Sequence, residues 1–242
     1  MLLKPWLRSE AAELLDEKEL PREHLEGNLR DIARINRLTG GTSTLVRSLA
    51  ALVQADFPNR PSSFSVLDVG TGAGDIPRAV ADWAEAEGRT ARIWAIDINP
   101  DIVRFAVGAG PGLEGLGFAV SDAGQLPIRP RGVDYVVASL FLHHFDRKSA
   151  VGLLRGFSDC ARRAVIINDL RRARLPYAAI FLLTRLATRN LMTRHDAPLS
   201  VLRAFLPDEL EAIAREAGFE SGRITRVFPY RLNWVGRAEN GP

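Results

Sequence analysis

Apolar positions recur along this chain at two different periods. In the first sixty residues Leu25, Leu29, Ile32 and Ile35 return at steps of three and four, one stripe on an otherwise polar helix. Gly40-Gly41 predicts its stop. Thr42 or Ser43 is placed to cap a second helix through Leu45, Leu49, Leu52 and Val53. Residues 1–62 therefore read as a helical segment, ending in a linker, Asn59-Arg60-Pro61-Ser62-Ser63. From residue 64 to 169 short unbroken apolar runs (FSVLDV, ARIWAID, GFAV, VDYVVASLF, AVIIND) alternate with helical spacing over 76–87, 100–108 and 146–162. Runs without polar alternation suit strands buried on both faces, and strand–helix alternation predicts a parallel, doubly wound α/β sheet.

The pattern breaks over 170–206, where a long, partly apolar helical insertion is expected. A helix over 207–217 follows, closed by Gly218. Two last apolar runs, 223–227 and 230–235, are parted only by Phe228-Pro229 and should pair as an antiparallel hairpin. The expected architecture is a Rossmann-like, seven-stranded sheet with a C-terminal antiparallel hairpin. N-terminal helices and a helical insertion are added to it, and both are candidates for a lid.

Composition narrows the function more than the fold. With 46% hydrophobic residues in 242, the chain has enough for a full core. One Cys and four His exclude a disulfide framework and argue against a Cys- or His-rich metal cluster. A charge surplus of three, 32 Lys+Arg against 29 Asp+Glu, makes no broad field for gripping nucleic acid. The apolar stretch 176–192 carries Arg185 and Arg189, so it falls short of the roughly 20 apolar residues of a membrane span. The opening residues lack the pattern of a secretory leader, and a cytoplasmic location is expected.

Chemistry concentrates in Val66-Leu-Asp-Val-Gly-Thr-Gly-Ala-Gly-Asp75. A buried strand runs into Gly70, Gly72 and Gly74, which allow a tight turn and let a ligand lie against the backbone. A dinucleotide fingerprint would put its third glycine at position 75. That position is Asp75, whose carboxylate would repel a pyrophosphate at a helix N-terminus. The loop therefore suits a nucleoside without phosphates. Asp75 is either a helix N-cap or a ligand contact.

These residues resemble the first motif of the class I S-adenosylmethionine (SAM)-dependent methyltransferases, and the resemblance covers roughly residues 64–169, with the helix and hairpin extending it to the C-terminus. It implies SAM as cofactor and S-adenosylhomocysteine as product. Residues 63–242 would be the methyltransferase domain, and 1–62 a helical lid segment. Asp68 and the three glycines would meet the methionine part. Asp97, after Ile96, would accept from both ribose hydroxyls, and Asp122 and Ala123 would line the adenine. Ile98, Ser139 and Arg37 complete the implied cofactor set.

The acceptor would lie after the fourth strand. Ser139-Leu-Phe-Leu-His143-His144-Phe145 is similar to the Leu-His-His stretch of small-molecule members, including the ubiquinone/menaquinone-biosynthesis type. His143, His144 and, in the insertion, His195 are the candidate bases, though at least one of the pair is expected instead to cap the next helix and order the cofactor loop. Asn168-Asp169 has residue types of a magnesium site, but Ser139 supplies no second carboxylate, so no metal is expected. Ile180, Phe181, Leu182, Leu183 and Leu186 form a wide apolar face, fit for an aromatic or lipid-like acceptor, or for a dimer contact in a chain that is monomer or homodimer. The chain as a whole looks like bacterial tailoring methyltransferases of aromatic polyketides. That likeness implies O-methylation of a phenol or hydroxyquinone in secondary metabolism. C-methylation of a quinol ring is the alternative, or a non-methylating cyclase or binding protein on the same fold. Arg171, Arg172 and Arg174 read as a solvated turn, and Cys160 as buried packing.

Overall fold

The computed structural model describes residues 6–16, 20–59 and 62–238; Arg60 and Pro61 of the expected linker, and the first five residues on which the leader reading rests, lie outside them. The chain runs through α1 (Arg22–Leu38), α2 (Gly41–Asp56), β1 (Ser63–Val69), α3 (Asp75–Ala86), β2 (Thr90–Asp97), α4 (Pro100–Gly108), β3 (Leu116–Val120) and β4 (Val133–Ser139). It continues through α5 (Arg147–Cys160), β5 (Ala161–Leu170), α6 (Arg174–Ala187), α7 (Leu191–Arg203), α8 (Pro207–Glu216), β6 (Gly222–Val227) and β7 (Arg231–Arg237).

One sheet holds the strands in the order β3-β2-β1-β4-β5-β7-β6. The first five are parallel, and β7 is antiparallel to both β5 and β6, as the expected hairpin requires. Alternate residues of each strand serve opposite faces. Leu67, Val69, Val136, Ala138 and Ile167 pack with α5 and α8 on one side. Val66, Ile93, Tyr135, Val137 and Ile166 pack with α2 and α3 on the other. Winding starts at β1, moves outward to β3, then returns to β4 on the far side of β1. The C-terminal ends of β1 and β4 therefore flank a crevice, the usual ligand position in such sheets.

Several elements differ from expectation, each for a local reason. β3 is an edge strand and β2 its inner neighbour, and neither is buried on both faces; Trp94 is 42% exposed and Val120 53%. β4 ends at Ser139 and not at 141, because Leu140 turns to φ 53° and the next residues form a short turn. Gly40, in a left-handed conformation, starts α2, so neither Thr42 nor Ser43 caps it. The insertion is a pair of helices. Asn190 breaks it by accepting from the Thr193 N–H, the first-turn bond that begins α7. Arg172 is not solvated: it is buried and donates to the carbonyls of Trp6 and Ala204 and to Glu209. Cys160 is buried, as its helix position implied. Among the described residues no helix is long and apolar enough to cross a membrane.

Candidate active site

The loop after β1 is held by its neighbour strand. Gly70 and Thr71 both donate their N–H to the carbonyl of Ile96 at 2.9 Å. Gly70 has φ 69°, and a Cβ there would lie 2.2 Å from the Phe141 ring. Gly72 has φ 53° and nothing within 4 Å of its missing Cβ, because that side opens on a cavity. Asp97 closes the loop from β2: one oxygen accepts from Gly72 N–H at 3.2 Å and the other from Asn99 N–H at 3.1 Å.

Asp68 is 2% exposed, and its Oδ2 has no hydrogen-bond partner. Burial, with Asp75 and Asp97 adding like charge, pushes its carboxyl up to about 7 against a contact with Thr71. Asp75 and Asp97 are also raised, chiefly by burial. Three carboxyls with raised pKa around an orphaned oxygen make a pocket short of positive charge. Asp75 is the first residue of α3, after Gly74, and is no N-cap. It accepts from Asn36 at 2.9 Å and Thr42 at 3.1 Å, which ties α3 to α1 and α2.

The other end of the cavity is built after β4. Ser139 Oγ is buried without a partner. His143 is 2% exposed; its Nδ1 lies 2.7 Å from Asp169 Oδ1, and its backbone N–H donates to Asp169 Oδ2 at 3.1 Å. Burial pushes Asp169 up, but the contacts with His143 outweigh it and leave its pKa lowered. His144 Nδ1 lies 2.9 Å from Asp16. Neither histidine caps α5; Asp146 does, accepting from Ser149 N–H at 2.7 Å.

Residues 6–16 strap this region. Arg8 donates to the carbonyls of His143 and Phe145 at 2.8 and 2.7 Å. Arg203 donates to Ala11 at 2.8 Å, and Asp196 accepts from the N–H groups of Leu14 and Leu15 at 2.9 and 3.0 Å. Glu13 is brought in by this strap. It is 3% exposed, and burial pushes its carboxyl up to about 7.

One cavity of about 1200 Å³ joins the two ends. Ligand pockets commonly measure about 300–1,000 Å³, so this space lies above the usual range for one ligand. Residues 66–163 match the family described as a methyltransferase domain. Over that span the chain is similar to a methyltransferase domain. The malonyl-[acyl-carrier protein] O-methyltransferase of Methylococcus capsulatus is 30% identical over 102 residues, 42% of this chain and 34% of that protein. The chain thus spans about a third of the length of the curated relative it matches. A SAM-dependent methyltransferase structure from Aquifex aeolicus superposes with TM-score 0.61 at 16% identity, over 91% of this chain and 100% of that one. The CurJ carbon methyltransferase gives TM-score 0.67 at 12% identity, over 92% and 62%.

Of the residues singled out in the sequence, Asp68, Gly70, Gly72, Asp75, Asp97, Ile98, Asp122, Ala123 and Ser139 all line the cavity, as do His143 and His144. Three sequence candidates do not. Gly74 lies behind the loop, packed on Phe118. Arg37 is exposed on α1, and its neighbour Asn36 faces the cavity instead. The His195 side chain is 51% exposed and turned to Asp196, outside the cavity. The apolar face of α6 is divided: Ile180 and Leu183 line the cavity, while Leu182 and Leu186 are 59% and 79% exposed. Sequence reading missed Glu13, Asp16 and Arg231. Arg231 is buried at the hairpin, lines the cavity and donates to Asn168 at 3.0 Å and Thr39 at 3.1 Å.

Proposed function

We propose that this chain is a SAM-dependent methyltransferase acting on an oxygen of a small aromatic or lipid-like acceptor, a phenol or hydroxyquinone, in bacterial polyketide tailoring. The observation that carries the reading is the single cavity. Its carboxylate-lined end at β1 and β2 suits a cationic nucleoside, and its other end presents two histidines beside the apolar wall of α1 and α6.

The residues present fit SAM. Asp97 sits at the strand end where ribose hydroxyls can donate to it, with Ile98 beside it. Asp122 and Ala123 line the adenine side; one Asp122 oxygen is used by Gly124 N–H at 2.7 Å. The unpartnered Asp68 Oδ2 and Ser139 Oγ are aimed at the methionine end, and Gly72 leaves room for it. SAM, when bound, supplies a methyl group on a sulfonium, an electrophile that needs a nucleophile in line behind it. The chain's task is to hold both partners in line and to exclude water. Ile32, Ile35, Ile180 and Leu183 supply apolar walls for the acceptor. His143 and His144 are placed to assist loss of its O–H proton, each ring fixed through Nδ1 by a carboxylate. His195 takes no part.

Incubating the purified chain with methyl-labelled SAM and a panel of naphthols and hydroxynaphthoquinones tests the reading. Labelled methyl ethers are expected. A ring-methylated product would move the reaction to carbon, the alternative to which the likeness to a carbon methyltransferase adds weight. SAM binding without turnover on any acceptor would favour a binding protein or cyclase.

A further inference from the structure

At the acceptor end three ligand atoms from distant parts of the chain meet. His143 Nε2 lies 3.6 Å from Glu13 Oε1, and His144 Nε2 lies 3.9 Å from Glu13 Oε2. One atom from each residue can be chosen so that all lie within 4.8 Å of one another. The imidazoles lie side by side, centroids 4.4 Å apart at 31°. We propose that Glu13, His143 and His144 bind one divalent first-row transition ion, of the Zn²⁺ type, in the wall of the acceptor cavity.

Four observations support the site. The first is tautomer control. Asp169 and Asp16 each hold a histidine Nδ1–H, so both Nε2 lone pairs face Glu13; metal-binding histidines are oriented in this way by carboxylates. The second is spacing. A directly bonded imidazolium–carboxylate pair closes to about 2.7–2.9 Å. The distances of 3.6 and 3.9 Å are too long for that. Two ligands each about 2.0–2.1 Å from one ion are separated by about 3.3–3.9 Å as their angle opens from tetrahedral. The third is an orphan: Glu13 Oε1 is buried, with no hydrogen-bond partner, and aimed at this point. The fourth is chemistry. Two imidazoles and one carboxylate form a nitrogen–oxygen set suited to Zn²⁺ or a neighbour such as Co²⁺. Arg203, 3.9 Å from Glu13, is engaged elsewhere through carbonyls of Ala11, His143 and His144.

Three protein ligands leave a coordination position open, and all three line the cavity. With both Nε2 lone pairs on the ion the histidines would assist as ligands and not as bases: an acceptor hydroxyl bound there would lose its proton to solvent more readily, as metal-bound water does. The oxygen then bonds the methyl carbon, the carbon–sulfur bond breaks, and its electron pair stays on sulfur. This last role rests on the methyl-transfer reading; the ion site does not.

The untagged full chain, dialysed against EDTA and then freed of it, is titrated with Zn²⁺ by calorimetry and separately loaded with Co²⁺. One ion per chain is expected, with Co²⁺ absorption bands of a four- or five-coordinate site. Affinity should fall at least tenfold in His144→Ala and in Glu13→Gln, and about 10- to 100-fold in Asp16→Asn, which leaves the three ligands in place but removes the carboxylate that orients His144 and meets Arg203 and the Glu13 N–H. His24→Ala, exposed on α1, should bind like the parent. Circular dichroism establishes that each variant is folded. A parent chain with only the weak spectrum of hydrated Co²⁺ overturns the site, whether or not any variant folds. Stoichiometric binding unchanged in folded His144→Ala and Glu13→Gln overturns it equally. Failure to bind SAM would sink the methyl-transfer reading and leave the ion titration as it was.

Discussion

Asp68 offers the sharpest test of the cofactor end, because one group sets both ligand affinity and stability. Its carboxyl, pushed up to about 7, is largely protonated in the folded chain below neutrality. A ligand carrying a sulfonium and an ammonium favours the ionised form, so binding has to expel that proton. If the bound state keeps Asp68 ionised throughout, the apparent dissociation constant scales as one plus ten to the power of pKa minus pH. Between pH 7.5 and 5.5 SAM affinity should therefore fall about 25-fold. Over that range the ligand's ammonium stays mostly charged, since α-amino groups titrate near 7.7–8.0.

Stability moves the opposite way. An unfolded Asp titrates near 3.9, so between that value and about 7 the folded chain binds the extra proton and loses stability as pH rises. The stabilisation is fully present below the unfolded value and gone above the folded one. Asp68→Asn removes the titration, and its advantage over the parent should grow by about 2–3 kcal/mol from pH 5 to pH 8. For a chain of this size that is roughly 5–10 °C in Tm. The same variant should bind SAM weakly and without the pH slope. Calorimetric titration and thermal unfolding across pH measure both effects. 5′-Methylthioadenosine, which has neither cation, is the control ligand. If it shows the same slope as SAM, or if SAM shows none, Asp68 does not meet the charged end of the ligand and the reasoning is wrong.

Other outcomes follow from single positions. Asp97→Ala removes a charged acceptor and should weaken SAM about ten- to a hundredfold in calorimetry, while the fold remains. Gly70→Ala meets the Phe141 ring at 2.2 Å and should cost about 1–3 kcal/mol in urea unfolding, partly relieved by Phe141→Ala. Gly72→Ala meets no neighbouring atom but strains the backbone at φ 53°, so it should cost about 1–2 kcal/mol in urea unfolding and also weaken SAM binding, because the added methyl enters the cavity. His195→Ala should keep the methylation rate within about twofold, whereas His144→Ala should lower it about 10²–10⁴-fold; equal effects of the two would remove the histidine pair from the reaction.

What the sequence revealed follows the range of the interactions. The sheet and its glycine loop were legible because each depends on neighbours a few residues apart: buried runs make strands, and a turn with positive φ at Gly70 and Gly72 demands glycine. That Asp97 and Asp122 would line a cavity was legible because they stand at strand ends, where this topology collects ligands. Arg37 and His195 failed because a side chain's direction around a helix decides whether it lines a cavity. One step along α1 puts Asn36 inside and Arg37 outside. Arg172 failed because charge suggested solvent, while the carbonyls of Trp6 and Ala204 that accept from it come from distant segments.

Glu13 shows where that range runs out. It precedes the first long helix and belongs to no periodic pattern, and about 130 residues separate it from the histidines it faces. Arg8, Arg203 and Asp196 bring it there by bonding backbone groups, which any residue types would present. The expectation that no metal is needed weighed Asn168-Asp169 against Ser139, all on neighbouring strands, and so could not include a ligand from the strap. The strap that closes the acceptor end also completes the three-ligand set. Cutting its anchor with Asp196→Ala should therefore weaken Zn²⁺ binding even though Asp196 lies outside the ligand set, and an Asp196→Ala chain that binds Zn²⁺ like the parent would show that Glu13 is held by some other means.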